Sequence, residues 1–492
     1  MSSFVDGMNL SLEAANSLLR ASLRDRVVGT LVGSALGDAI GLYTEFLSSA
    51  QSLQAYPSRK FTLVNHPPGG GPTPLKVDTH RSPHEPGDWT DDTDHALLLL
   101  LSFLHTASSS SSSTHVDTTS ANPTTDSNIT CSNNERQSPS LPDPKDLAAR
   151  LRVWVQQGLR PLDTLPLGLG RLVGTVVATQ GFAETPERVA LEYWDKTTGR
   201  RAAPNGSLMR THPLGLMCLF RSEAECFAIA DELGRVTHAD PRCVVSCVIG
   251  AGLVRAVVRG EVRTEADIDD LIQRGVQWFN LGTRGEPGLS PFDIHELTRH
   301  TDRHVIATLD DLKLDDSPAI GYVYKTLGSG ILVLRSAVRA AAGSVGGDTD
   351  NKMFEDLITE LVMHGGDADT NACFAGALLG GFLGYKALPD HWKHGLSHRE
   401  WFLGKAEALC VVLGLKDGKY DGQKDMDTHR NGGKPGVTQQ EMEGRWMALQ
   451  QHAFRKISNA GGGEGKKSGK ADKERSGWTH ALPWLSKSGK RG

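Results

Sequence analysis

Residues 364–385 read HGGDADTNACFAGALLGGFLGY, an acidic motif followed by a run of small and apolar residues. Asp367 and Asp369 follow paired glycines, so both carboxylates lie at the start of a predicted helix, 369–386. A helix start needs only one capping side chain. The second carboxylate and the adjacent Thr370 therefore indicate a site. The small residues behind them predict that another segment of the chain comes very close.

The first long predicted helix, 23–45, carries a second set of small residues. Its segment GTLVGSALGDAIGLYTE has glycines every four residues, at 29, 33, 37 and 41, and Glu45 one step further on. Because a helical glycine costs about 1 kcal/mol relative to alanine, the row indicates that something approaches this backbone closely. Tight helix packing explains the glycines without a ligand, and both interpretations stay open. Asp38 is harder to explain by packing, since a buried carboxylate needs a partner.

A second acidic cluster stands in GDWTDDTDHALLLLLSFL, residues 87–104, at the start of a predicted helix, 91–105. Thr90 or Asp91 can cap this helix, and acidic residues suit its first turn. Taken alone, the cluster is equally an acidic helix start or a set of metal ligands. If Asp91 and Asp92 face Asp367 and Asp369, four negative charges meet, which is tolerable only around hard cations with oxygen ligands.

Two further segments contain candidate binding residues. In RRAAPNGSLMR, residues 200–210, a turn at Asn205, Gly206 and Ser207 offers main-chain N–H groups to an anion, with Arg210 nearby. In VTHADPR, residues 236–242, His238 stands just before an Asp-Pro pair. An ordinary turn and a capped helix start are the simpler explanations of these two segments.

Composition limits the class of protein and its partners. The net charge of -5, from 53 basic and 58 acidic residues, gives no electrostatic footprint for nucleic acid, so we expect no sequence-specific nucleic-acid partner. Seven cysteines without a CxxC pair indicate reduced thiols in a cytoplasmic or nuclear protein. The first 20 residues lack the pattern of a secretory or transit signal. Apolar runs such as 96–104 are shorter than the roughly 20 residues that cross a bilayer, so we expect no membrane partner.

The chain divides into a helical domain and two segments of biased composition. Residues 1–22 form an N-terminal lead, 23–415 the domain, and 416–492 a low-complexity basic tail with one candidate helix. Within the domain, 18 of the 39 residues in 106–144 are Ser or Thr, which predicts a disordered insert. We expect an all-α fold, because no series of alternating strands appears. The predicted helices are 23–45, 91–105, 146–160, 222–236, 241–259, 265–279, 318–342, 352–363 and 369–386.

Five motifs, in this order, resemble the ADP-ribosylglycohydrolase family. They are GTLVGSALGDAIGLYTE (29–45), WTDDT (89–93), AAPNGSLMR (202–210), THADPR (237–242) and GGDADTNA (365–372). The family includes dinitrogenase reductase-activating glycohydrolases, ADP-ribosylarginine and ADP-ribosylserine hydrolases, and some lens crystallins. The resemblance covers about residues 23–415.

The resemblance implies a compact, all-helical fold around a cleft with two Mg²⁺ ions, or Mn²⁺ in their place. The positions that match the family's metal ligands are Thr90, Asp91, Asp92, Asp367, Asp369 and Thr370. Glu45 matches a glutamate that sits on the metal cluster in some members and moves when substrate binds. We expect Glu45 or a site aspartate, Asp91 or Asp92, to carry the catalytic proton.

The expected activity is metal-dependent hydrolysis of the bond between the distal ribose of ADP-ribose and a protein side chain. An ADP-ribosylated protein or peptide is then the substrate, ADP-ribose is the product, and we expect a monomer. The substrate-binding candidates are Asn205, Gly206, Ser207, Met209, Arg210 and His238. AAPNGSLMR and WTDDT resemble the arginine-linked branch more than the serine-linked one.

Three alternatives to arginine-linked hydrolysis stay open. The substrate bond can instead be serine-linked or otherwise O-linked. A non-catalytic protein that binds ADP-ribose or resembles a crystallin is the rival from another class, although all six ligand-type residues are present. A phosphoester hydrolase would use similar metals, but its histidine-rich ligand pattern is missing.

Overall fold

The computed structural model describes residues 11–64, 70–107, 140–282, 288–343 and 350–461. Most of the predicted Ser/Thr-rich insert, 108–139, lies outside the described residues, as does the basic end of the tail, 462–492. The predictions made for those two segments therefore stay predictions.

The described residues form an all-α fold, as the sequence predicts. Isolated β-bridges, such as Ser48 with Gly365, occur among them, but no β-strand does. The α-helices are α1 (Leu12–Gly41), α2 (Ser49–Ala55), α3 (Asp91–Thr106), α4 (Pro144–Gln157), α5 (Arg171–Ala178), α6 (Pro186–Glu192), α7 (His212–Met217), α8 (Glu223–Gly234), α9 (Pro241–Arg259), α10 (Glu265–Asn280), α11 (Pro291–Thr301), α12 (Val323–Gly343), α13 (Asp350–Met363), α14 (Ala368–Leu383), α15 (Asp390–Lys393), α16 (Arg399–Val412) and α17 (Gln439–Gly461). Each predicted helix has a counterpart among them.

Helices α1 and α14 pack backbone to backbone at the centre of the fold. A Cβ atom at Gly29 would lie 2.3 Å from the carbonyl oxygen of Gly380, and one at Gly41 would lie 2.3 Å from the Cα of Asp369. At Gly37 the nearest atom, the carbonyl oxygen of Ala372, would be only 1.9 Å away. The glycine row of α1 therefore allows α14 to pack in direct main-chain contact. This contact brings Asp369 against the end of α1.

The Gly37→Ala variant should lose stability because its new methyl group meets main chain that cannot rotate away. We expect a loss on the order of 2 kcal/mol in the free energy of unfolding, typical of an overpacked core. Urea denaturation measures it. Gly404→Ala in α16 is the matched control, since its Cβ would have nothing within 4 Å. The control should be neutral or gain up to about 1 kcal/mol from helix propensity. Equal stability of the two variants would contradict the close helix contact.

Helix α9 is an apolar core helix that packs against both α1 and α14. With a mean hydropathy of 1.7, it is the described helix that is long and apolar enough to cross a membrane. However, 89% of its most apolar window is buried within the fold. Its hydrophobicity is therefore explained by the helices packed around it.

Both ends of the helical region extend past the predicted domain limits. Helix α1 begins at Leu12, after a Ser11 cap whose side chain accepts a hydrogen bond from the Ala14 amide. Beyond residue 415, the Thr428 carbonyl accepts a hydrogen bond of 2.8 Å from buried Arg150. Lys405 lies 2.7 Å from the Asp425 carboxylate. The limits at 23 and 415 stay a prediction, but chain on both sides of them packs on the same core.

Candidate metal centre and active site

Two helix starts carry the acidic motifs, as their sequences indicate. Helix α3 begins at Asp91, and the side chain of its cap, Thr90, accepts a hydrogen bond from the Asp92 amide. Helix α14 begins at Ala368, directly after Asp367. Both starts therefore carry carboxylates in or just before the first turn, where the helix dipole favours negative charge.

The two acidic motifs face each other across the end of α1. The hydroxyl of Thr90 lies 3.4 Å from Asp369 Oδ2. Carboxylate oxygens of Asp369 lie within 4.8 Å of those of Asp38 and Asp92 on one side. On the other side they lie within the same distance of Glu45 and Asp367. Asp369 thus links two groups of carboxylates.

Burial and mutual repulsion make these carboxylates costly to ionise without a cation. Burial raises the pKa of Asp91, Asp92 and Asp369 well above the usual carboxyl range, and neighbouring carboxylates raise it further. Burial and repulsion from Glu45 raise the pKa of Asp367 to about 6. Such a group is stable when a proton or a metal ion supplies positive charge.

The donor atoms fit a hard divalent cation. Asp92 Oδ1 and Asp369 Oδ1 are buried, and neither has a hydrogen-bond partner among the described residues. Buried carboxylate oxygens seldom lack partners in a folded protein unless an ion or water is bound there. The neighbouring donors are carboxylate and threonine oxygens, the ligand type that Mg²⁺ and Mn²⁺ prefer.

Asp38 caps the start of α3 from the neighbouring helix α1. Its Oδ1 accepts a hydrogen bond of 2.9 Å from the Thr90 amide. Its Oδ2 accepts from the Thr93 amide at 3.0 Å and from the Thr93 hydroxyl at 2.6 Å. Burial raises the pKa of Asp38 to about 7, although these bonds stabilise its charged form. The partner that sequence analysis required for Asp38 is therefore the TDDT turn itself.

Glu45 is paired with a histidine that sequence analysis missed. Its Oε2 lies 2.5 Å from His80 Nε2. Burial alone would raise the pKa of Glu45, but attraction to His80, with smaller effects of Asp369 and Arg81, outweighs burial, and the pKa is lowered. The pKa of His80 is raised by the same pairing in spite of its burial. No sequence signal identified His80, because it lies in an irregular loop rich in proline and glycine.

Asn205 contacts the acidic cluster at the edge of the cleft. Its side-chain amide donates to Asp367 Oδ2 at 2.8 Å and to the Thr326 hydroxyl at 3.0 Å. That hydroxyl in turn donates to Asn371 Oδ1 at 2.7 Å. These contacts fix the orientation of Asp367. Asn205 also lines the cleft above the acidic cluster, so its contact with substrate stays a prediction.

Arg210 and Ser207 do not face the cleft, which corrects their predicted substrate contacts. Arg210 is 1% exposed and donates to the Thr237 hydroxyl at 2.8 Å and to the carbonyls of Gly206 and Leu233. Ser207 is equally buried. Sequence alone makes an arginine after a turn look available, whereas the fold encloses this one.

Gly206, Met209 and His238 do line a cleft of about 530 Å³ above the acidic cluster. His238 accepts or donates a hydrogen bond of 2.7 Å at Nδ1 with the Thr237 hydroxyl. Burial lowers the pKa of His238 well below its usual value, so its imidazole is neutral at pH 7. The cleft is of the size that small-molecule ligands occupy.

Further residues line the cleft that the sequence did not single out. Aromatic and basic side chains from separate segments of the chain complete it: Phe46, Arg171, Tyr193, Arg201 and Tyr322. No periodicity or motif marked these positions, because they are isolated residues brought together from distant parts of the chain.

The family model for ADP-ribosylglycohydrolase matches residues 19–419. The chain belongs to the ADP-ribosylglycohydrolase family. Enzymes of this family hydrolyse glycosyl bonds, and this chain is an enzyme of that class. The match covers all five motifs and both acidic helix starts.

Individual relatives are distant in sequence but similar over most of their length. ADP-ribosylarginine hydrolase Tri1 of Serratia proteamaculans (strain 568) is 25% identical over 395 residues, which cover 80% of this chain and 81% of the relative. ADP-ribosyl-[dinitrogen reductase] glycohydrolase of Rhodospirillum rubrum is 24% identical, covering 80% and 98%. A solved structure named ADP-ribosylglycohydrolase-related protein complex is 24% identical with a TM-score of 0.46, covering 80% and 99%.

Proposed function

We propose that this enzyme removes ADP-ribose from a modified protein side chain by metal-dependent hydrolysis, with an arginine linkage as the preferred bond. One observation carries the proposal. Carboxylates from two helix starts converge on the floor of the cleft, and two of their buried oxygens lack hydrogen-bond partners among the described residues. An all-oxygen, anionic donor set of this kind suits divalent cations.

Six residues would hold two Mg²⁺ or Mn²⁺ ions in the proposed site: Thr90, Asp91, Asp92, Asp367, Asp369 and Thr370. When bound, such ions neutralise the carboxylates and supply Lewis acidity. Asn205 supports the site by fixing Asp367, and Asp38 supports it by fixing the TDDT turn. The ligand oxygens are thereby held before any ion arrives, which reduces the cost of ordering them.

Glu45 is the proposed proton carrier. Its carboxylate lines the cleft beside Asp367 and Asp369, and His80 holds one of its oxygens. A general acid or base must lie within hydrogen-bond reach of the proton it moves. The position of Glu45 at the cleft floor supports this role for a ribose bound above the acidic cluster.

The upper cleft offers groups for the rest of ADP-ribose. Tyr193 and Tyr322 are half-buried rings on its wall, and either provides a face for the adenine base. Arg171 and Arg201 are exposed at the rim and supply positive charge for the diphosphate. Gly206, Met209 and His238 line the floor between these groups and the acidic cluster.

The arginine preference rests on similarity in sequence. One relative is named as an ADP-ribosylarginine hydrolase and another as an ADP-ribosyl-[dinitrogen reductase] glycohydrolase. To test the preference, arginine-linked and serine-linked ADP-ribosyl peptides are each incubated with the protein and Mg²⁺, and released ADP-ribose is quantified. We expect faster release from the arginine-linked peptide. Release from the serine-linked peptide alone would overturn the preference, and release from neither would overturn the proposed function.

A further inference from the structure

The turn that carries Glu45, residues 42–47, is closed by Arg81 from a separate loop. Arg81 is 2% exposed, and its Nε donates to the carbonyls of Leu42 and Tyr43 at 3.0 Å. Its terminal nitrogens reach the Glu45 carbonyl and, at 2.5 Å, the Asp78 carboxylate. These carbonyls follow the last turn of α1, where helical partners run out. The guanidinium therefore replaces the missing hydrogen bonds and fixes the backbone of the turn.

His80, the neighbour of Arg81, holds the Glu45 carboxylate itself. The two side chains meet at 2.5 Å, and the His80 ring lies 4.8 Å from the Phe46 ring. On its other side, Glu45 faces the carboxylates of Asp367 and Asp369. The contact with His80 therefore holds the Glu45 carboxylate beside Asp367 and Asp369.

The far side of the same turn is tied to the GGDADT motif. The Phe46 amide donates to the Gly366 carbonyl at 2.6 Å, and the Gly366 amide donates to the Leu47 carbonyl at 2.9 Å. Phe46 has a φ of 59°, in the left-handed region that costs a non-glycine residue on the order of 1 kcal/mol or more. Strain of this kind persists where the surroundings impose it, and it concentrates at functional sites.

We propose that the loop 78–81 is a positioning latch for Glu45. Arg81 fixes the backbone of the turn, and His80 orients the carboxylate toward the cleft. His80 touches Glu45 rather than the reacting atoms, so it is a positioning residue. The inference rests on the proposed function, since it assigns Glu45 a part in hydrolysis.

Steady-state hydrolysis of an ADP-ribosyl peptide tests the role of His80. His80→Ala should lower kcat by about 10- to 100-fold, the usual effect of losing a supporting partner, with KM and the Kd for ADP-ribose changed by less than about twofold. His80→Gln places an amide nitrogen near the lost Nε2 and should retain several-fold more activity than His80→Ala. His394→Ala is the control, because His394 is exposed and hydrogen-bonds to the Asp390 carbonyl in the helix just before it. Activity of His80→Ala within threefold of wild type would overturn the latch.

A double variant separates action through Glu45 from a general structural effect. Because His80 acts through Glu45, Glu45→Gln with His80→Ala should be no slower than Glu45→Gln alone. An additional loss as large as that in the wild-type background would overturn the proposal. A lowered melting temperature with equal losses for His80→Ala and His80→Gln would do the same.

Hydrogen–deuterium exchange tests the latch without relying on hydrolysis. In Arg81→Ala, amides 42–47 should exchange faster than in wild type, whereas Arg59→Ala, which breaks an exposed pair with Glu360, should leave them unchanged. Arg81→Lys gives a second variant if Arg81→Ala does not fold. Unchanged exchange in a folded Arg81 variant overturns the latch even if wild type hydrolyses substrate. If wild type does not hydrolyse the peptide but amides 42–47 still exchange faster in Arg81→Ala, the latch is supported and the proposed function is overturned instead.

Discussion

Asp369→Asn should abolish ADP-ribose release while leaving the fold intact. Asparagine has nearly the same volume as aspartate but removes one negative charge from the group that links Asp38 and Asp92 with Glu45 and Asp367. Loss of a proposed direct metal ligand should exceed the 10- to 100-fold that supporting partners typically cost, so we expect a fall in kcat of more than about 100-fold. The measurement is ADP-ribose release at saturating peptide and Mg²⁺, with the melting temperature as a check on folding.

Asp356→Asn is the control for that experiment. Asp356 lies on α13 with its side chain 60% exposed, 3.4 Å from Lys352. An exposed pair on a helix contributes little to stability, and the residue is remote from the cleft, so its activity should match wild type. If Asp369→Asn kept more than a tenth of the wild-type rate, or Asp356→Asn lost as much as Asp369→Asn, the acidic cluster would not be the metal site.

Mg²⁺ should raise the melting temperature, and the rise should grow with pH. The pKa of Asp367 is raised to about 6, and burial and repulsion raise those of Asp91, Asp92 and Asp369 well above the usual range. The folded metal-free state therefore binds more protons than the unfolded chain, whose aspartates titrate near 4. The stability that these four carboxylates contribute to the metal-free fold is fully present below about pH 4. It is lost as pH rises through 6 and above.

Cations should compensate for this loss because they replace the protons. A ligand that binds only the native state adds about 2.7 kcal/mol at a hundredfold excess over its Kd, and metal binding to carboxylates strengthens as they deprotonate. Thermal melts between pH 5 and 8, with chelator or with Mg²⁺, measure both effects. A shift by Mg²⁺ that shrinks toward pH 8 would contradict this account.

Asp369→Asn isolates the contribution of the cluster from other titrating groups. With chelator at pH 8, this variant should melt at a higher temperature than wild type, because one repelling charge is gone. With Mg²⁺, it should gain less than wild type does. Identical pH dependence of the two proteins would show that other groups control the stability.

The parts of the fold that sequence predicted best are those with strong local signals. The two acidic helix starts were recognisable because they carry more carboxylates than capping requires, at Asp91, Asp92, Asp367 and Asp369. The glycine row was recognisable because a helix tolerates so many glycines only for close packing, and Gly37 against Ala372 shows that contact. Both signals are contained in short segments of sequence.

Roles that depend on long-range contacts could not be derived in this way. His80 meets Glu45 across 35 residues, and Asn205 meets Asp367 across 162. Nothing near either residue in the sequence indicates its partner. The predicted substrate contact of Arg210 was wrong for a related reason. Its charge suited an anion, but only the contacts with Thr237 and Leu233 show that the fold encloses its guanidinium.

The measurement that bears most directly on the proposed metal dependence is a hydrolysis assay before and after metal is returned to metal-free protein. The protein is freed of metal with a chelator, the chelator is removed, and ADP-ribose release from an arginine-linked ADP-ribosyl peptide is followed before and after Mg²⁺ is added. We predict no release from the stripped protein and restored release on adding Mg²⁺, with no restoration in Asp369→Asn. Release at the full rate from protein that contains no metal would contradict the central claim.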